Sequence, residues 1–385
     1  MNVLKICFIV PNYPTKLDPT HTFVRELICE ISDLGISSIA IAPQSITTSI
    51  RKKKPIRQIY WVDETVKGNK INIYQPKYMS FSKLKIFGNN ISNLLFDMAV
   101  KRAFKKIDNR FDLLYAHFWN NSVVARELAE EYNLPIFVAT GESTIWITDI
   151  YNKKKIYDSL DKITGVISVS KKNLNESKKM KLVKSDEGIV IPNSVNRDKF
   201  RPMNKQKARL ELGLNSDSFI VAFTGAFNHR KGVKRLLEAI ENLEDVRVIL
   251  IGSGDIDSAG SKVLFSGQVP HDMVSKYLNC ADVFALPTLA EGCSNAIVEA
   301  LACGLPIISS NLEFNDELLN NDNSIRIDPN SIEELSEAIK VLRDDKELRQ
   351  KKSDAALQTA EEFDIRNRAK KIISFINDKM TTNDV

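Results

Sequence analysis

Two glutamates, Glu291 and Glu299, lie with seven residues between them in the segment Leu286–Ser310, LPTLAEGCSNAIVEALACGLPIISS. The segment reads as the end of an apolar strand (Val283 to Leu286), a polar turn, a helix from about Ser294 to Cys303, a Gly304-Leu305-Pro306 stop and a second apolar strand. A helix that starts in such a turn leaves several backbone N–H groups without intrahelical acceptors, and these suit a phosphate. Carboxylates beside an anion site are electrostatically misplaced unless they accept hydrogen bonds from neutral hydroxyls of the same ligand. Phosphate and hydroxyls together describe a sugar nucleotide.

The elements that must position this segment follow from length and patterning. At 385 residues, 43% hydrophobic and 27% charged, the chain has the composition of a soluble globular protein and room for two α/β domains. No apolar run reaches the 18 or more residues of a membrane-spanning helix. The start, MNVLKICFIVPNYP, enters a Pro/Asn turn without a small-residue cleavage site and is expected to be a core strand rather than a signal peptide. Cys7, Cys29, Cys280, Cys293 and Cys303 are scattered, and only four histidines occur. Neither a disulfide framework nor a metal site is expected, and the chain is expected to be cytoplasmic. Residues 1–200 hold 31 Lys/Arg against 20 Asp/Glu, whereas residues 201–385 hold 23 against 29. The basic first half is either the part that meets an anionic partner or an ordinary solvated lysine surface.

Apolar runs alternate with helical patterns in both halves, as in parallel sheets with crossover helices. Strands are expected at Lys5–Val10, Ile39–Ala42, Ile71–Tyr74, Leu113–His117, Ile136–Ala139, Gly165–Val169 and Gly188–Ile191. In the second half they are expected at Ile220–Thr224, Val246–Ile251, Val263–Ser266, Val283–Leu286, Ile307–Ser309 and Ser324–Ile327. A polar stretch between Pro192 and Pro202 places a boundary there, giving domains 1–196 and 197–365, with a terminal helix of about 366–380 that can pack back on the first domain. From Phe81 to Ile107, Leu84, Phe87, Ile91, Leu94, Leu95, Met98 and Phe104 recur at helical spacing. Lys83, Lys85, Lys101, Arg102, Lys105 and Lys106 lie around the other face. This is either a crossover helix with its stripe in the core or a basic amphipathic helix on an anionic membrane surface.

With the acidic pair embedded among Pro287, Gly292, Asn295, Ala300, Gly304 and Pro306, the chain strongly resembles the family-4 glycosyltransferases. These are retaining enzymes of the GT-B fold, two doubly wound Rossmann-like α/β domains facing a cleft. The resemblance covers most of the chain and is densest between Phe219 and Asp344. It implies that Glu291 bonds the donor sugar's hydroxyls, that Glu299 grips the ribose, and that backbone N–H groups near Cys293, Ser294 and Asn295 approach the sugar and diphosphate. The patch Thr224–Gly232, TGAFNHRKG, resembles the family's phosphate loop. With Gly225 as the family's first glycine, Lys231 matches the family lysine that precedes the last, but Ala226 stands where the family has arginine, and Arg230 is a candidate replacement. Phe265–Val269 resembles the segment whose backbone, near Val269, meets the base.

The first domain departs further. Asp18–Phe23 replaces the family's glycine loop, so His21 and Thr22 either reach a ligand, on the acceptor side, or simply open the helix Phe23–Leu34. Glu142 stands where the family often has a histidine near the donor sugar; it either takes over that contact or sits at a helix start. His117 is a second acceptor-side candidate or a buried histidine. The resemblance implies transfer of a hexosyl or N-acetylhexosaminyl group from a UDP- or GDP-sugar to an acceptor hydroxyl, with retention. It implies no metal, no further cofactor and no nucleic-acid partner. Glu291, Lys231 and Glu142 would carry the chemistry. The implied setting is bacterial surface-polysaccharide synthesis (capsule, O-antigen or exopolysaccharide) on a saccharide that can be polyprenyl-diphosphate-linked, with the protein peripheral on the inner membrane face. A degenerate binding subunit and a nucleotide-sugar 2-epimerase are the alternatives.

Overall fold

A computed structural model describes residues 3–15, 18, 20–81, 84–107, 110–160, 163–184, 187–214 and 217–383, without the side chains of 159, 160, 382 and 383. The chain divides into two units, Met1–Ile191 with Ala369–Val385, and Pro192–Arg368. The expected boundary at 196 therefore moves to 191. Residues 192–196 are stitched into the second unit: Val195 N–H donates to Phe363 O, Ile365 N–H to Val195 O, and Asn193 Nδ2 to Cys293 O.

The first unit holds β1 (Lys5–Ile9), β2 (Ser37–Ile41), β3 (Tyr60–Glu64), β4 (Lys70–Tyr74), β5 (Leu113–His117), β6 (Ile136–Thr140), β7 (Gly165–Ser168) and β8 (Gly188–Val190). Their order is β8-β7-β6-β5-β1-β2-β4-β3, parallel throughout except for β3 against β4. Successive residues face opposite sides of the sheet. Cys7, Ile9, Leu114, Ala116, Ile136 and Val138 enter one core, while Ile6, Phe8, Leu113, Tyr115, Phe137 and Ala139 enter the other. Burial on both faces is why these strands read as continuous apolar runs. The unexpected edge strand β3 alternates exposed and half-buried residues, and so lacks that signal.

The crossover helices of this unit are α1 (Thr22–Asp33), α2 (Ile91–Lys106), α3 (Trp119–Tyr132), α4 (Lys153–Leu160) and α5 (Lys171–Lys179). The helix expected from Phe81 begins only at Ile91. Phe87 and Gly88, with φ of 47° and 79°, turn the chain between the paired stretches Lys85–Ile86 and Asn89–Asn90. Asn90 then caps α2, its side chain accepting from Ser92 N at 2.9 Å. Leu84 and Phe87 thus leave the expected stripe, and Lys83 lies outside the described residues. Phe96, Ala99, Val100, Ala103 and Phe104 form the buried face, which packs into the first core, while Met98 is exposed.

One carboxylate lies within that packing. Asp97 on α2 is buried and accepts from Tyr151 Oη through both oxygens, at 2.9 and 3.1 Å, and from Lys155 Nζ at 3.2 Å. Burial raises its pKa from 3.8 to about 6 in spite of these partners. The folded value lies above the unfolded one, so the stabilisation is complete below about pH 4 and is lost as pH rises through 6. At ~1.4 kcal/mol per pKa unit the loss is on the order of 2–3 kcal/mol. Asp97→Asn keeps an acceptor for Tyr151 and is expected to remove that slope, which urea unfolding at pH 5 and pH 7.5 would read. An unchanged slope would place the titration elsewhere.

The second unit contains β9 (Phe219–Thr224), β10 (Val246–Ile251), β11 (Val263–Gly267), β12 (Val283–Leu286), β13 (Ile307–Ser310) and β14 (Ser324–Ile327), ordered β11-β10-β9-β12-β13-β14 and all parallel. Besides a short helix at Lys205–Glu211, its helices are α6 (Val233–Ile240), α7 (His271–Leu278), α8 (Asn295–Ala302), α9 (Ile332–Asp344) and α10 (Lys346–Glu362). The last helix, α11 (Ile365–Asn383), places Ala369, Ile372 and Ile376 fully buried in the second core of the first unit. Among the described residues no helix is long and apolar enough to cross a membrane.

Candidate active site

In the second unit the strand order reverses between β9 and β12, and in such sheets ligands bind beyond the carboxyl ends of the strands at that reversal. The loop after β9 carries Gly225–Gly232, and the turn after β12 carries Pro287–Ser294. Several bonds hold the two together. Leu289 N–H donates to Arg230 O at 2.8 Å. The buried Arg235 guanidinium on α6 donates to His229 O at 2.9 Å and to Pro287 O at 2.7 Å, clamping both segments. Gly232 has a φ of 82°, and a Cβ there would lie 2.4 Å from Pro287 O, so this close approach requires glycine.

The result is a charged cluster around Glu291, whose side chain is nearly buried. Lys231 Nζ lies 2.6 Å from Glu291 Oε1, Arg230 Nη1 donates to the same oxygen at 2.9 Å, and Thr288 Oγ1 donates to it at 2.9 Å. Arg230 Nη1 also donates to Ala290 O. Arg230 and Lys231, adjacent in sequence, therefore converge on one carboxylate, which places Arg230 within the patch where Ala226 leaves no cation. Glu291 Oε2 accepts no hydrogen bond among the described residues, so one oxygen remains available to hydroxyls.

Beside this cluster α8 begins. Its N-cap, Ser294, makes no capping bond, and the buried Ser294 Oγ and Asn295 Oδ1 have no partner. Thr224 Oγ1, at the end of β9, is buried and unpartnered as well. Buried polar atoms without partners cost free energy, and a polar ligand at the strand ends would relieve that cost. Asn193 holds the Cys293 carbonyl, and burial pushes the Cys293 thiol up to about 12, which keeps it protonated. Glu299, in the second turn of α8, accepts from or faces His271 Nε2 at 3.1 Å. Val269 follows β11 in the loop that leads to α7, and Gly252 N–H donates to Gly267 O at 2.9 Å at the adjoining strand ends.

The first-unit residues form their own strand-end group. His21 is the N-cap of α1 with a φ of 67°, and its Nδ1 is buried without a partner. Burial lowers its pKa, with Asp18 opposing, which favours the neutral ring. Its ring lies 6.0 Å from Phe118, which in turn lies 4.6 Å from the buried His117; Phe23 lies 5.6 Å from His117. Thr22 is the first residue of α1. Phe118 holds a φ of 73°, a conformation unfavourable for a bulky residue. The carboxylate of Glu142 secures that turn: Oε1 accepts from Trp119 N at 2.7 Å, and Oε2 accepts from Thr140 Oγ1 at 2.6 Å and Gly141 N at 2.9 Å. Burial raises the Glu142 pKa, while these hydrogen bonds lower it.

Residues 204–359 match the family model described as "Glycosyl transferases group 1". The chain is 28% identical over 353 residues to "Putative teichuronic acid biosynthesis glycosyltransferase TuaC" of Bacillus subtilis, covering 87% of this chain and 88% of that one. It is 27% identical over 289 residues to "UDP-Gal:alpha-D-GlcNAc-diphosphoundecaprenol alpha-1,3-galactosyltransferase" of Escherichia coli, covering 68% and 74%. Among solved structures it is similar in fold to sucrose-phosphate synthase from Thermosynechococcus elongatus, with a TM-score of 0.79 at 18% identity, covering 98% of this chain and all of that one. The chain has the GT-B fold and is similar to glycosyltransferases.

Three residues that touch the site are not legible as such in the sequence. Thr288 carries no charge or motif, Arg235 reads as a solvated helix residue, and His271 reads as an ordinary helix start. Their spacing to Glu291, Pro287 and Glu299 in sequence ranges from 3 to 52 residues, and only the sheet brings the longer pairs together.

Proposed function

We propose that this protein is a glycosyltransferase that moves a hexosyl or N-acetylhexosaminyl group, with retention, from a UDP- or GDP-sugar to a hydroxyl of a saccharide acceptor carried on a polyprenyl diphosphate. The setting is bacterial surface-polysaccharide synthesis. The observation that carries the proposal is the Lys231–Glu291 contact at 2.6 Å beside the unpartnered start of α8. In this reading Lys231, Arg230 and the α8 N-terminus receive the diphosphate, whose negative charge grows as the sugar leaves. Glu291 accepts from the sugar hydroxyls through its remaining oxygen, and Glu299 accepts from the ribose. The leaving phosphate oxygen takes the proton of the incoming hydroxyl on the same face, which retains the configuration without a covalent intermediate. The positive charges come from the chain, so the proposal includes no metal. His21, Thr22 and His117 stand on the acceptor side. Glu142 enters as the residue that fixes the Phe118–Trp119 turn rather than as a sugar contact, because both its oxygens already accept from the first unit.

Two relatives support the setting by name, one for teichuronic acid biosynthesis and one for a diphosphoundecaprenol-linked acceptor. The basic first half agrees with peripheral binding to an anionic membrane face. Thermal shifts with UDP-, GDP- and CMP-sugars test the donor: a true donor at 100-fold its Kd stabilises by ~2.7 kcal/mol, which raises the Tm by several degrees. Equal, near-zero shifts for all donors would remove the donor assignment. Free epimerised nucleotide sugar, formed without an acceptor, would replace transfer by 2-epimerisation.

A further inference from the structure

The turn at Phe87-Gly88 has a residue choice that folding alone does not favour. A two-residue hairpin turn with positive φ at both positions favours Asn-Gly or Asp-Gly, since a bulky side chain is strained there. This chain has Phe87 at φ 47°, and the residue is 92% exposed, so it buries almost no apolar surface in return. Leu84 at 53% and Ile86 at 49% lie on or beside the same hairpin, and Met79 and Phe81, earlier in the sequence, are exposed as well. Exposed apolar side chains grouped in this way mark an interaction site.

The hairpin is also held in place. Asn152 donates from its backbone N–H to Asn89 Oδ1 at 2.9 Å and from Nδ2 to Phe87 O at 3.1 Å, while Ile91 N–H donates to Leu84 O at 3.0 Å. The residues around the apolar tip are basic. Lys85 is exposed on the hairpin, and Lys153 and Lys154 are exposed immediately after Asn152. Residues 65–96 contain five lysines and no Asp or Glu. An apolar tip surrounded by lysines is complementary to a bilayer interface, where acyl chains lie beneath anionic headgroups. A protein partner would need a matched acidic rim around an apolar pocket, whereas a lipid surface supplies both at once.

We propose that the Lys85–Asn90 hairpin is a membrane-inserting element, with Phe87 and its apolar neighbours entering the interface of an anionic bilayer and Lys85, Lys153 and Lys154 contacting the headgroups. This deepens the membrane part of the proposed function and assigns it to the hairpin, not to α2, whose apolar face is occupied by the core. It rests on that reading only for the identity of the membrane.

The test is sedimentation of the full chain with phosphatidylcholine vesicles, with and without phosphatidylglycerol. Binding to the phosphatidylglycerol vesicles is expected, weakening as salt is raised. Phe87→Asn should reduce vesicle binding by about tenfold or more, from the loss of a buried phenyl ring. It should leave the Tm unchanged or raise it by about 1–3 °C, because asparagine suits the turn. Joint replacement of Lys85, Lys153 and Lys154 by glutamate should abolish the preference for anionic vesicles. Undiminished binding by Phe87→Asn would overturn the proposal. So would equal binding to both vesicle types, or a concentration-dependent dimer lost in Phe87→Asn without vesicle binding. The assay involves no sugar transfer, so its failure and a failure of the donor thermal shift are separate results.

Discussion

Glu291→Gln is expected to lower kcat/KM for transfer by about 10²–10³-fold, the size of effect seen when a group that positions the reacting centre is lost. Glutamine can still accept from Thr288 Oγ1, so the turn after β12 keeps one of its anchors. What disappears is the charge facing Lys231 and Arg230. Removing one partner of a fully buried ion pair costs ~3–5 kcal/mol, and Arg230 is 38% exposed in its side chain, so the stability loss here should be smaller, about 1–2 kcal/mol. Two measurements separate two roles for this glutamate. As a counter-ion only, Glu291→Gln lowers the Tm while each folded molecule turns over normally. As a sugar ligand, it loses turnover at temperatures where the protein is fully folded. Wild-type kcat/KM in the folded variant would remove Glu291 from the chemistry.

Lys231→Met carries the second large expectation. Methionine retains most of the apolar stem and removes the ammonium, and Glu291 keeps Arg230 and Thr288 as partners. Loss of one preorganised positive group at a developing charge costs about 10²–10³-fold in kcat, or ~3–4 kcal/mol. Binding measurements locate the effect. If Lys231 meets the diphosphate, the variant binds the nucleoside diphosphate sugar more weakly than wild type but binds the bare nucleoside equally well. Equal losses for both ligands would instead point to a collapsed loop after β9. Lys231→Arg should recover part of the activity, because it restores charge with a different reach.

The two expectations are linked through one oxygen. Lys231, Arg230 and Thr288 all converge on Glu291 Oε1, so each substitution changes the setting of the other groups. The double variant Glu291→Gln with Lys231→Met should therefore cost less than the two single losses combined, as neighbouring groups in one network do.

Much of the architecture was readable from the chain. The parallel strands are continuous apolar runs because both faces of each sheet are covered, and the interruptions between them hold helix caps and glycines. The spacing of Glu291 and Glu299 and the Gly304-Leu305-Pro306 stop identified one strand–turn–helix unit, because those residues act within a single local segment. β12, α8 and β13 fall there within one or two residues. The Phe81–Ile107 stretch is a crossover helix with its stripe in the core, but only from Ile91 on. Its apolar spacing is helical throughout, but the Phe87-Gly88 turn divides it, and periodicity carries no information about φ.

What the sequence determined, then, were the local preferences: which runs become strands, where helices start and stop, and which turn holds the acidic pair. Only the tertiary structure decided which side chains meet. Arg230 and Glu291 are separated by 61 residues, Arg235 and Pro287 by 52, and Trp119 and Glu142 by 23. Each pair is brought together by neighbouring parallel strands whose carboxyl ends open on the same side of a sheet. The physical reason is that local propensity depends on a few adjacent residues, whereas the partner of a charge depends on strand order, which is the outcome of packing the whole core.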